Sequence, residues 1–101
     1  AVVMPYVLCH NRTAIADKLT RLARYLDLRE PSFMAVLDWV LTLRSALDIP
    51  HTLTAFKVTK QHILEFAPAA VADPSTGCNP LPMTTLDFEQ LFHHAIEGTL
   101  T

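Results

Sequence analysis

The sequence predicts an all-α domain of about five helices, and three observations carry that expectation. Apolar residues recur at helical spacing in long stretches whose other side is charged or polar. Those stretches are bounded by Thr, Pro and Gly, which start and stop helices. No segment alternates apolar and polar residues in the way a half-buried strand requires.

Taken in order, Ala1 to His10 is apolar and reads as the tail of a helix, with Pro5 near a bend. Beyond it Ile15, Leu19, Leu22, Ala23 and Leu26 fall on one face, while Asp17, Lys18, Arg21 and Arg24 take the other, with Thr13 as the expected N-cap. Arg29-Glu30-Pro31-Ser32 breaks the pattern, and Pro31 suits the first turn of a third helix. That helix carries Phe33, Val36, Leu37, Val40, Leu41 and Leu47 on one side, widened by Trp39 and Leu43, and is the expected most buried one. Pro50 biases Ile49 away from helix and ends it, leaving His51 to Val58 as an extended connector. Thr59 caps a fourth helix through Ile63, Leu64, Phe66, Ala67, Ala70 and Val71, interrupted or kinked at Pro68. Thr84 or Thr85 caps the last, with Asp87 and Glu89 near its positive end and Phe88, Leu91, Phe92, Ala95 and Ile96 inward. Gly98 supplies its C-terminal stop.

Between the last two helices lies the stretch on which the rest is organised, Asp73 to Pro82, where turn residues, small polar side chains and a thiol are concentrated. Pro74, Pro80 and Pro82 exclude a regular helix, and Gly77 permits a positive φ at the turn. It reads as an ordered loop whose Ser, Thr and Asn can offer donors and acceptors to a ligand, or simply as a rigid connector.

Composition excludes several classes. The 101 residues make at most one domain, with 50% hydrophobic and only 18% charged residues, below the roughly 25% usual for soluble domains. Such a chain expects cover from elsewhere, as part of a larger protein or as a subunit. No apolar run reaches the roughly 20 residues of a membrane span, and the opening lacks the basic start and cleavage site of a signal peptide. A net charge of −2 with dispersed Lys and Arg argues against nucleic acid. Two cysteines, Cys9 and Cys78, are too few for a disulfide scaffold, so a reduced, cytoplasmic setting is expected.

The five histidines, His10, His51, His62, His93 and His94, include no pair at the i, i+4 helical spacing of a metal site. Surface or hydrogen-bonded histidines are the expected reading. Cys78 as a nucleophile would need His93 or His94 brought beside it, which the spacing does not demand; a plain thiol is the simpler expectation. Only Gly77 and Gly98 are present, which excludes a Gly-rich phosphate loop.

The order of the pieces resembles the iron-containing (group III) alcohol dehydrogenases. Ala1-Val2-Val3-Met4-Pro5-Tyr6-Val7-Leu8-Cys9-His10-Asn11 is similar to their Asn-Ala-(apolar)₃-Pro-His-Val helix, and Leu47-Asp48-Ile49-Pro50-His51-Thr52-Leu53 to their Leu-Gly-Ile-Pro-Thr-x-Leu segment. Val58-Thr59-Lys60-Gln61-His62-Ile63-Leu64 resembles the helix start that follows. Most specific is Asp73-Pro74-Ser75-Thr76-Gly77-Cys78-Asn79-Pro80, which resembles their Asp-x-x-Thr-Gly-Gly-Asn-Pro loop.

The resemblance implies that residues 1–101 are part of a C-terminal helical domain of the dehydroquinate-synthase-like type. It implies an upstream NAD(P)-binding domain and a divalent iron, or zinc, held by one Asp and three His from upstream motifs. The last of these is a His-Gly signature whose closing Ala aligns with Ala1, so no histidine of this chain is expected as a ligand. In the whole enzyme the metal would act as a Lewis acid on an alcohol or aldehyde oxygen. Ser75, Thr76, Gly77, Cys78 and Asn79 are carried over as residues lining the substrate cleft, not as catalysts. The chain alone is expected to be inactive, and its partners to be the remainder of its own polypeptide, the substrate and further copies in a homo-oligomer. Tyr6 stands where the family commonly has His, Cys78 replaces the second Gly of the loop, and Leu81 replaces the Arg frequent in the maleylacetate-reductase branch. That branch is the alternative within the family, and a free-standing helical interaction module the alternative outside it.

Overall fold

The computed structural model describes residues 1–100. Five α-helices follow one another: α1 (Met4–His10), α2 (Arg12–Tyr25), α3 (Phe33–Ala46), α4 (Ile63–Ala72) and α5 (Thr85–Glu97). Short 3₁₀ turns at Leu53–Phe56, Lys60–His62 and Pro74–Cys78 occupy the two long connections, and no strand occurs among the described residues. The all-α expectation holds, as do five helices.

Several boundaries differ from the sequence expectation, each for a local reason. Pro5 stands in the first turn of α1, where its missing N–H costs nothing, so the helix starts there rather than bending. Asn11, not Thr13, joins α1 to α2, and its carbonyl accepts from the Ala14 and Ile15 amides at 2.9 and 3.2 Å. The change from one helix to the next takes a single residue, which puts Thr13 inside the first turn. Ser32, one position after Pro31, caps α3 through its Oγ, which accepts from the Ala35 amide at 3.1 Å. The expected extended connector is instead wound as the Leu53–Phe56 turn and closed by Lys57 at φ 61°. Winding satisfies backbone groups that a lone strand could not pair. Helix α4 runs through Pro68 unbroken. The carbonyl deprived of its partner belongs to Leu64, which is exposed, so water can replace the lost bond.

In the packing, α2 pairs with α3 and α4 with α5, while α1 touches α2, α3 and α5. Tyr6 of α1 is buried against Leu91 and Ala95 of α5, with Val3, Val7, Leu53, Met83 and Leu100 around them. On the other side Phe33, Val36 and Leu37 of α3 and Ala23 of α2 are buried, and the Arg12 guanidinium lies 4.9 Å from the Phe33 ring centre. Phe66 and Phe92 join α4 to α5 with ring centres 5.9 Å apart.

Helix α3 contributes more buried residues than any other, as expected, yet Met34, Trp39, Leu43 and Leu47 on it or at its end are exposed. Leu47, expected inward, is the C-cap and 61% exposed. The radius of gyration, 14.3 Å, exceeds the roughly 13 Å of a self-contained domain of this length. Two helix pairs bridged by a seven-residue α1 do not wrap around one centre, which leaves the outer face of α3 uncovered.

Candidate functional site

The loop from Asp73 to Pro82 is ordered by its own side chains. Asp73 begins the 3₁₀ turn: its carboxylate accepts from the Ser75 amide at 2.7 Å, with Pro74 behind it in the first turn. Thr76 donates its hydroxyl to the Ala70 carbonyl at 2.5 Å, fastening the turn to the end of α4. The three prolines therefore do not prevent winding, because Pro74 falls where an N–H would be idle.

The positive φ that Gly77 would permit is not used. Neither Gly77 nor Cys78 takes a positive φ; Gly98, at 80°, is the one described glycine that does. The 3₁₀ winding removes the need for a left-handed residue, so Cys78 carries no strain in place of the family's second glycine. A Cβ at Gly77 would meet nothing within 4 Å. Ser75, Gly77 and Cys78 stand exposed while Thr76 and Asn79 are half-buried. The five residues do come together in one turn, and none of them lines the hollow beside Tyr6 and His94, the one beside Val40 and Leu43 or the one beside Leu41 and Ser45.

Asn79 makes the loop's longest reach. Its Nδ2 donates to Asn11 Oδ1 at 2.8 Å, and Asn11 Nδ2 donates back to Asn79 Oδ1 at 2.8 Å. The second proton of Asn79 Nδ2 goes to the Leu81 carbonyl at 2.8 Å. Sequence reasoning placed Asn11 only in the opening helix and missed this pairing. Its one signal was an amide of helix-capping type standing between two apolar runs.

A second polar cluster was also missed. Arg44 is only 5% exposed, and its Nη1 donates to the Val2 carbonyl at 2.6 Å. Its Nη2 lies 2.6 Å from His51 Nδ1. A guanidinium can only donate, so Nδ1 is the acceptor and the ring proton sits on Nε2, which donates to the Gly98 carbonyl at 3.1 Å. The Tyr6 hydroxyl donates to the His51 carbonyl at 2.5 Å. Burial pushes the Tyr6 phenol above its ordinary range, with the Arg44 charge pulling the other way. His51 thus ties α1, α3 and the end of α5 together, the satisfied histidine that composition suggested.

Between α1 and α5 a hollow of about 250 Å³ is lined by Tyr6, Cys9, His10, Gln90, His94 and Thr99, with Leu91 at its side. Burial raises the Cys9 thiol, against the pull of Arg12, which makes it a poor nucleophile at neutral pH. Among the described residues no three of His, Cys, Asp and Glu are close enough to hold a metal ion. The described residues do not by themselves fit an iron site. Nor is any described helix long and apolar enough to cross a membrane.

Residues 1–96 match the Fe-containing alcohol dehydrogenase family, C-terminal. The chain belongs to that family. It is 30% identical over 101 residues to lactaldehyde reductase of Escherichia coli K12, and equally to that of strain O157:H7. Each alignment covers 94% of this chain and 26% of the relative, so the chain spans about a quarter of the length of the curated relatives it matches. The family is one of oxidoreductases named for iron, and its C-terminal helical region is what these five helices form.

Proposed function

We propose that this chain is the C-terminal helical part of a longer NAD(P)-linked oxidoreductase acting on alcohols or aldehydes. In this reading iron, or zinc in its place, and the dinucleotide are held by residues outside the chain, and the chain alone is inactive. Ser75, Thr76, Gly77, Cys78 and Asn79 line the substrate cleft without performing chemistry. The partners are the remainder of the same polypeptide and further copies in a cytoplasmic homo-oligomer, which would cover the outer face of α3.

The observation that carries this reading is the family match over nearly the whole chain, residues 1–96. The relatives named lactaldehyde reductase support an aldehyde or alcohol as substrate. The loop's construction supports its role: exposed small side chains are presented from a turn fastened at both ends, which lets them meet a ligand with little ordering cost.

The test compares full-length wild type with Ser75→Leu over primary alcohols of increasing chain length. A bulky side chain in the cleft should shift kcat/KM towards the shorter alcohols, while metal content and the dinucleotide Kd stay unchanged. A uniform loss across the series, or no change at all, removes Ser75 from the cleft. The 101-residue chain alone should give no turnover with NAD or NADP above a protein-free blank.

A further inference from the structure

We propose that Asn11 is a positioning residue for the cleft loop: its buried side chain, paired with Asn79 68 positions away in sequence, sets where Ser75 to Cys78 stand. This rests on the reading of that loop as cleft-lining.

Asn11 and Arg44 are the buried polar or charged residues of the described chain, and Asn11 is 4% exposed. A buried amide is costly unless both ends are bonded. Asparagine at a helix entry ordinarily spends its side-chain oxygen on the first turn. Here the side chain makes no cap bond to α2, although Asn11 occupies the N-cap position. The helix entry is managed by the backbone carbonyl instead, and the amide is free to face the loop.

The pairing admits only one orientation. Turning either amide over would set oxygen against oxygen and nitrogen against nitrogen. Turning Asn79 would also lose the bond to the Leu81 carbonyl. Aspartate, glutamine or an apolar residue at position 11 cannot reproduce both bonds in place.

No other side-chain hydrogen bond among the described residues ties this loop to anything beyond the end of α4. Asp73 bonds Ser75 within the turn, and Thr76 bonds Ala70 of α4. Those two fix the start of the loop to the helix it leaves. The Asn11 pair fixes its far half to the α1–α2 junction, and so decides the angle at which the exposed Ser75 and Cys78 are presented.

The experiment uses the full-length enzyme as wild type, Asn11→Leu, Asn79→Leu and the double variant. Hydrogen exchange is followed over peptides covering 73–82, α4 and α5, together with kcat and KM over the primary alcohol series. Losing two hydrogen bonds should speed exchange in 73–82 by roughly tenfold or more, with α4 and α5 unchanged. The alcohol preference should shift, the dinucleotide Kd should hold, and the double variant should be no worse than Asn79→Leu, which already loses both the pair and the bond to the Leu81 carbonyl. Unchanged loop exchange in an active Asn11→Leu enzyme, additive losses in the double variant, or faster exchange throughout α4 and α5 each overturns the positioning role. A wild-type full-length protein that oxidises no alcohol overturns the dehydrogenase reading and the catalytic half of this proposal with it. The exchange measurement on the loop then still decides whether Asn11 holds it.

Discussion

The His51 junction and the 73–82 loop are both held by polar side chains, but they use them at different range. At the junction, Tyr6, Arg44 and Gly98 come from α1, α3 and the end of α5, and their bonds to His51 or Val2 mostly span more than forty positions. In the loop the Asn11–Asn79 pair is the one distant tie, and the other side-chain bonds run to neighbours within six positions: Asp73 to Ser75, Thr76 to Ala70 and Asn79 to Leu81. Distant ties close large loops of chain and are felt by the whole fold, whereas neighbouring ties shape a turn and leave its surface free. The junction is therefore where stability should be concentrated, and the loop where a ligand can be met.

The sharpest way to break this contrast is Arg44→Ala. It leaves the Val2 carbonyl and His51 Nδ1 without their donor and opens a void beside α3. Two orphaned acceptors and lost packing should together cost about 2–5 kcal/mol. Urea unfolding followed by circular dichroism measures it, with Thr76→Val as the loop control expected at about 1 kcal/mol. Equal losses in the two variants would remove the distinction between the regions.

A smaller effect is expected at the rim of the junction, from Gly98→Ala. The residue sits at φ 80°, and a Cβ there would lie 3.0 Å from His51 Cδ2 and 3.2 Å from Thr52 Cγ2. Left-handed backbone alone costs a residue with a side chain about 1–2 kcal/mol. The push on His51 adds to this by disturbing its bond to the Gly98 carbonyl. Thermal unfolding should show the loss. If alanine is tolerated freely, His51 can yield, and the junction is looser than its distances suggest.

The same contrast of range governs what could be read from the sequence. Gly98 as the stop of α5, and its start to within one residue at Thr84 or Thr85, were legible because a cap acts within one turn of its own helix. The apolar faces of α2 and α3 were legible in outline because period sets them, although Leu22 and Leu47, placed on those faces, stand exposed. Arg44 was not, since it lies on α3 among apolar neighbours and its acceptors arrive from Val2 and His51 only once α1 is docked. Asn11 was hidden for the same reason, its partner being Asn79. The winding of Pro74–Cys78 was missed differently: three prolines were weighed by number, when the position of Pro74 in the first turn decides the matter. Ser75, Thr76, Gly77, Cys78 and Asn79 are consecutive and share one turn, but the partner of Asn79 lies 68 positions away and no local signal points to it.

The smallest effect belongs to the helix that leaves the loop, and pH makes it diagnostic. Thr84 and Asp87 form a reciprocal cap: the Asp87 amide donates to Thr84 Oγ1 at 3.2 Å, while the Asp87 carboxylate accepts from the Thr84 amide and hydroxyl, each at 2.8 Å. The backbone bond first, then the hydroxyl, hold the Asp87 carboxyl below its ordinary range, with His10 nearby acting in the same direction and slight desolvation against it. A carboxyl lowered by folding adds stability above its unfolded pKa and loses it as pH falls through the folded value. Thr84→Ala should cost about 1 kcal/mol at pH 7. The cost should shrink at acid pH, below the ordinary carboxylate range, as Asp87 takes up its proton and the hydroxyl bond ceases to be charge-assisted. Urea midpoints of the two proteins at both pH values measure this, and Asp87→Asn should flatten the same acid limb. Because the cap is local, none of these changes should speed exchange at the His51 junction. If they do, the short-range ties around the loop reach further into the fold than their geometry implies, and the division between the two regions fails from its weaker side.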